Sequence, residues 1–231
     1  MRKLGMILIV LGVVLTICAG GWLTWNEADE RRADNAARTT LEKLAEQIEH
    51  NSAVRTDGQI DASTDKPRAW GSMDAPGSTE VPGRVMELGR VDTPADANMP
   101  AVVIDGEAFI GYLGVPELGL ELPVRADCTE EGLKNSPCRY WGSLRNRDLV
   151  IAGHNYKRHF TPVKNLKPGA KILFRDAENR DYEFVVSAVE TVAGTDVEAM
   201  IANSGDWDMT LFTCTYGGRD RVAIRCVRTD E

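Results

Sequence analysis

Basic residues are in short supply. Lysine and arginine number 27 against 35 aspartates and glutamates, a net charge of −8 over 231 residues. Nucleic acid is therefore excluded as a partner, because phosphate binding needs a basic face. Internal repeats are lacking, and so are cysteine pairs at metal-ligand spacing. Cys128 and Cys138 stand in a Cys-x9-Cys pattern, whereas zinc takes pairs two to four residues apart. A site built from Cys128, Cys138, His154 and Cys214 is thus disfavoured, and no cofactor is implied. Charge is missing altogether from Leu4 to Trp25. At about 1.5 Å per residue this run covers roughly 33 Å, the thickness of a hydrocarbon core.

That run reads as a transmembrane anchor over residues 1–25. Arg2 and Lys3 precede it, and Glu27, Asp29 and Glu30 follow. The basic side stays cytoplasmic, which puts the remainder outside the cell membrane. Trp22 and Trp25 sit where an interfacial aromatic belt would. A cleaved signal peptide is the competing reading, but the apolar run exceeds a usual signal core. Cys18 is then a membrane-buried apolar residue.

Residues 26–50 read as a helical stalk, charged except for Leu41, Leu44 and Ile48 at helical spacing. A solvated single helix is the expectation. Residues 51–100 lose apolar periodicity and are dominated by Asp, Ser, Thr, Gly and Pro, the composition of a flexible linker. Such a linker has an end-to-end distance of about 40 Å.

From 101 to 231 the pattern is mostly β. Strands are expected at 108–115, 120–125, 149–153, 171–175, 182–192, 209–215 and 221–227, with turns such as Lys167-Pro168-Gly169 between them. Short helices fit Thr129 to Lys134, behind a threonine cap, and Val197 to Ala202. Seven or so strands in this length point to a closed or nearly closed barrel. Cys128 and Cys138 are spaced to close a ten-residue loop, but two small, partly buried thiols are the default reading. Cys226, inside an apolar run, reads as core.

The chemistry lies at strand ends. Thr210-Leu211-Phe212-Thr213-Cys214 closes an apolar run in a thiol, and Val150-Ile151-Ala152-Gly153-His154-Asn155 ends another in an imidazole. Arg221 opens the next run, with Arg219 a neighbour of the same strand parity. A nucleophile, a proton carrier and a fixed positive charge suffice for acyl transfer through a thioester. The thiolate is the reactive form, and a nearby imidazolium would favour it. In this reading Cys214 attacks a peptide carbonyl, His154 protonates the leaving amine and later deprotonates the incoming one, and Arg221 holds the oxyanion. Thr213 orients the substrate or the arginine. Val197, Ala199, Met200 and Ile201 are candidates to line an apolar substrate pocket, or to pack their short helix on the barrel. His159 reads as a loop residue and His50 as part of the stalk.

The Thr210–Cys214 block followed by Arg221-Val222-Ala223-Ile224 resembles the sortase signature of Thr-Leu-x-Thr-Cys and an arginine strand. Ala152-Gly153-His154-Asn155, with Phe160, Leu166, Lys167, Pro168 and Gly169 behind it, is similar to the sortase histidine region. The resemblance implies an eight-stranded sortase β-barrel and a Cys-His-Arg transpeptidase acting at His154, Cys214 and Arg221, with Thr213 as a substrate contact. Such enzymes cut an LPxTG-like C-terminal sorting signal on surface proteins. They pass the acyl group to an amine of a cell-wall precursor or a pilin, in Gram-positive bacteria. The linker lacks the Asp-Pro-aromatic lid triplet of pilin-building sortases, and no second span follows the arginine strand; a housekeeping or class B- or D-like enzyme is expected rather than a pilus polymerase. The competing functions are an extracellular cysteine peptidase that only hydrolyses, and a non-catalytic barrel that binds wall polymers.

Overall fold

The computed structural model describes residues 2–57, 99–157, 159–202 and 205–230. Its β elements are β1 (Val102–Ile104), β2 (Glu107–Val115), β3 (Leu120–Arg125), β4 (Cys138–Trp141), β5 (Leu149–Ala152), β6 (Lys171–Asp176), β7 (Asp181–Ala193), β8 (Met209–Cys214) and β9 (Asp220–Arg228). The helices are α1 (Arg2–Asp57), α2 (Glu130–Asn135) and α3 (Val197–Ile201).

Strands run in the order β1-β2-β3-β4-β5-β8-β9-β7-β6, and β6 pairs back onto β2. The ring from β2 to β6 is a closed eight-stranded barrel, and β1 is a short edge strand outside it. Closure leaves the eight ring strands without a free edge. β1 and β4 are the two strands the sequence pattern did not suggest. β4 has four residues and meets β3 through a single parallel pair, Arg125 with Cys138.

Alternation along β5, β8 and β9 sorts side chains onto two faces. Leu149, Ile151, Leu211 and Ile224 point into the barrel with Ile110, Phe174 and Phe184. Val150, Ala152, Phe212 and Ala223 point outward and are covered by Leu133 of α2 and Met200 of α3. The helices form where expected. Thr129 caps α2 by accepting from the Gly132 amide, and Asp196 caps α3 by accepting from that of Ala199. Cys226 is fully buried in the barrel interior.

Helix α1 departs from the expected solvated stalk. Its stripe is broader than Leu41, Leu44 and Ile48, since Ala33 and Ala37 belong to it, and it packs on the barrel. Leu44 and Ile48 are completely buried against Val102, Ile104 and Phe109. Each such side chain stabilises the docked helix by about 1.5–3 kcal/mol. Polar ties follow the same face. Tyr156 Oη donates to Asp29 Oδ2 at 2.8 Å, Lys43 Nζ to Asp105 Oδ2 at 2.6 Å, and Asn179 Nδ2 to Ser52 Oγ at 3.1 Å. The helix also runs through 51–57, the start of the expected linker. Residues 58–98, the rest of its length up to Met99, lie outside the described residues. Among the described residues no helix is long and apolar enough to cross a membrane. The anchor expected over 1–25 falls in part on side chains outside the described ones, at 1–5, 7–10, 22 and 23.

Candidate active site

Three neighbouring strands bring the strand-end residues together. β5 and β8 are parallel neighbours with Ala152 opposite Phe212, and the Gly153 amide continues the ladder to the Phe212 carbonyl at 2.9 Å. Two residues further on, His154 and Cys214 leave the barrel at the same end. β9 is antiparallel to β8, with Cys214 directly opposite Arg221. One cavity of about 220 Å³ is lined by His154, Asn155, Thr213, Cys214 and Arg221, with Leu133 of α2 on its wall. Arg219 lies in the turn between β8 and β9 and does not line it, so the arginine of the site is Arg221.

Gly153 is fixed by a close approach. A β-carbon there would stand 2.1 Å from the Phe160 ring, which is fully buried against it. The Ala-Gly-His block and the aromatic behind it thus form one packed unit that sets the direction of the histidine loop. The His154 ring rests on the Tyr156 ring, centroids 4.0 Å apart, and Tyr156 in turn holds Asp29 of α1.

Two polar atoms in this region are buried without a hydrogen-bond partner among the described residues: Thr213 Oγ1 and His154 Nδ1. Buried polar atoms are normally satisfied. Arg221 is buried, and its Nη1 donates to the Gly218 carbonyl at 3.0 Å and the Asp220 carbonyl at 3.3 Å. These bonds hold the guanidinium without neutralising it.

The electrostatics modify the sequence expectation of a thiolate beside an imidazolium. Burial pushes the Cys214 thiol up, against the pull of Arg221 and Lys164. Burial also pushes the His154 imidazole down, helped by Lys134 and opposed by Asp29. Both directions favour the neutral pair, because removing water penalises each charged form.

The remaining candidates divide. Val197, Ala199, Met200 and Ile201 of α3 do not line the cavity; Met200 and Ala199 pack against the outward cluster around Phe212. Cys128 and Cys138 form a disulfide with Cα atoms 5.1 Å apart, which uses two of the four ligands of the disfavoured metal site. His159 lies in a turn, as expected, but is fully buried at the edge of the Tyr156 ring. Burial pushes its imidazole down, opposed by Asp34 of α1. Sequence reasoning missed Leu133, whose signal was its place in the capped helix, and Lys164, which touches the Cys214 carbonyl. It also missed Arg225, which binds Glu190 and the α3 carbonyls.

Residues 113–229 match the Sortase domain family. The chain is similar to Sortase A of Bacillus anthracis, 29% identical over 134 residues that make up 56% of this chain and 63% of the relative. It is also similar to Sortase A of Streptococcus agalactiae serotype III (strain NEM316), 24% identical over 121 residues, 46% of this chain and 47% of the relative. The chain thus spans less than two thirds of the length of these curated relatives. Among solved structures, sortase C1 from Streptococcus agalactiae is 27% identical with a TM-score of 0.49, covering 56% of this chain and 72% of that one. Sortase A from Corynebacterium diphtheriae is 20% identical with a TM-score of 0.48, covering 54% and 62%.

Proposed function

The chain belongs to the sortase family, and from that premise we propose that it is a membrane-anchored cysteine transpeptidase. It cleaves an LPxTG-like sorting signal and joins the freed carboxyl end to an amine of a cell-wall precursor or a pilin. The observation that carries the reading is the shared cavity of His154, Cys214 and Arg221, with an unpartnered Thr213 hydroxyl beside them.

Each residue has one task. Cys214 Sγ attacks the scissile carbonyl carbon, and the carbonyl oxygen takes the negative charge. Arg221, fixed beforehand by two loop carbonyls, donates to that oxygen, a charge-assisted bond that strengthens as charge develops. The tetrahedral intermediate collapses to a thioester as His154 gives its proton to the departing amine. An incoming amine then attacks the thioester, His154 takes its proton, and Cys214 leaves as thiolate. Thr213 Oγ1 bonds the substrate backbone. Because burial disfavours both charged forms, the reactive thiolate–imidazolium pair is a minor population of the free enzyme. Substrate, by placing a polar carbonyl and amide in the cavity, supplies partners the charges lack.

The anchor over 1–25 is supported by Leu11, Val13, Val14, Leu15 and Ile17, apolar side chains exposed on α1. Residues 26–50 are the stalk and 101–231 the catalytic domain. A class B- or D-like enzyme fits the lack of an Asp-Pro-aromatic triplet in the linker sequence. For the sorting motif, α3 with Val197, Ala199, Met200 and Ile201 remains the proposed specificity element; of these, Met200 and Ala199 pack on the outward apolar cluster that holds Phe212.

The test supplies the purified protein with a labelled sorting peptide and increasing amine. Amide product that rises with amine at the expense of free acid is expected. Free acid alone at every amine concentration would identify a peptidase.

A further inference from the structure

One more cation stands at the site. Lys164 lies in the 3-10 turn Pro162–Asn165 and is half-buried. Its Nζ donates to Asn155 Oδ1 at 2.6 Å and to the backbone carbonyl of Cys214 at 3.3 Å. The Tyr216 ring covers it, with Nζ 4.2 Å from the centroid. Asn155 is the residue after His154, and Tyr216 lies two residues beyond Cys214. A single ammonium therefore bridges the loop that carries the imidazole and the strand end that carries the thiol. Asn155 Oδ1 also accepts from Thr161 Oγ1 at 2.7 Å, which fixes the carboxamide as an acceptor.

All the partners of Lys164 among the described residues are neutral: a carboxamide, a peptide carbonyl and an aromatic face. A lysine held in one rotamer gives up side-chain entropy. The usual recompense is a carboxylate. Among the described residues no carboxylate pairs with this charge, which stands at the Cys214 backbone carbonyl.

We propose that Lys164 is a positioning residue for acyl transfer: it places a second fixed positive charge at the Cys214 backbone and ties the cysteine strand to the histidine loop. The role rests on Cys214 being the nucleophile, as proposed above. Cys214 is faced by Arg221 from β9, by Lys164 from the 3-10 turn and by His154 from the loop after β5. His154 is itself influenced by Lys134 of α2 and Asp29 of α1. The two cations have different tasks. Arg221 is held by Gly218 and Asp220 for the oxyanion, and Lys164 is held by Asn155 for the thiolate that precedes it. The electrostatics agree with this contact: burial pushes the Cys214 thiol up and the Lys164 ammonium down, and each group opposes the shift of the other.

The test follows iodoacetamide alkylation of Cys214 against pH in the full chain, read on the Cys214 peptide by mass spectrometry so that Cys18 and Cys226 do not contribute. Lys164→Gln keeps a donor without the charge, and Lys164→Arg keeps the charge. In Lys164→Gln the alkylation midpoint should move up and the rate at pH 7 fall about three- to tenfold, while the rate above the midpoint matches wild type. Lys164→Arg should restore most of the loss. Thermal unfolding by circular dichroism confirms that each variant is folded. An unmoved midpoint in Lys164→Gln, or an equal loss in Lys164→Arg, overturns the role of the charge. If acyl-enzyme forms on Cys214 but the midpoint is unmoved, the role of Lys164 alone is lost. If wild type forms no acyl-enzyme on Cys214, the nucleophile assignment is lost and the role of Lys164 with it.

Discussion

Arg221 and Arg225 stand four residues apart on the same face of β9, both nearly withdrawn from water at 7% and 2% exposure, and the fold treats them in opposite ways. Arg225 is held through all three of its nitrogens. Its Nε donates to Glu190 Oε1 at 2.7 Å, Nη1 to Thr210 Oγ1 at 2.9 Å and to the Met200 carbonyl, and Nη2 to the Ala199 carbonyl at 2.7 Å. The Trp207 ring lies 4.5 Å from its guanidinium carbon. It is a structural rivet that pins the end of α3 to the barrel. Arg221 has loop carbonyls for partners, faces a cavity, and has the unpartnered Thr213 hydroxyl as a neighbour. A buried guanidinium with a carboxylate has no capacity to spare. One without a carboxylate can stabilise a charge that arrives with a substrate.

Substitutions at the two arginines should therefore separate rate from stability. Arg221→Gln is expected to lower kcat about 10²–10³-fold, the scale of losing an oxyanion donor, with a melting temperature near wild type. A large drop in melting temperature with a proportionate rate loss would erase the contrast. The pH profile of kcat/KM should be a bell whose apparent pKa values belong to the Cys214–His154 pair. The acid limb should lie below 6.5 and the alkaline limb above 9.0, because burial lowers the imidazole and raises the thiol. Rate should fall about tenfold per pH unit outside those limbs. Alkylation of Cys214 that titrates with the acid limb rather than the alkaline one would instead indicate a dominant ion pair. Arg225→Gln should leave kcat within about tenfold but cost about 1–3 kcal/mol in chemical denaturation, since it leaves the buried Thr210 hydroxyl and Met200 carbonyl short of a donor. The smallest effect is expected for Thr213→Val. Losing one substrate hydrogen bond, about 1 kcal/mol, should raise KM about fivefold without loss of stability.

Much of the site was legible because it lies at strand ends whose alternation is plain in the sequence. Thr210-Leu211-Phe212-Thr213 reads as a strand, and a cysteine at its close stands out. What sequence could not supply was adjacency. Nothing local says that β5 and β8 are parallel neighbours, the pairing that sets His154 beside Cys214. Lys164 reads as a turn lysine, and its contact with the Cys214 carbonyl spans 50 residues. The stripe of α1 was visible as a period, but a period does not say what the stripe covers. β4 is too short to alternate convincingly, and the Cys128–Cys138 bridge needed a Cα distance. The direction in which the thiol and imidazole shift was not legible for a related reason: burial is a property of the assembled cavity, not of the motif.

The most direct measurement incubates the protein with a library of candidate sorting peptides, traps the product at low pH and locates the adduct by mass spectrometry. An acyl group, cut after the threonine of its motif and carried on Cys214, is expected. It should be absent from Cys214→Ala and discharged as an amide when amine is added. An adduct on another residue, or peptide turnover that survives Cys214→Ala, would contradict the assignment of Cys214 as the nucleophile.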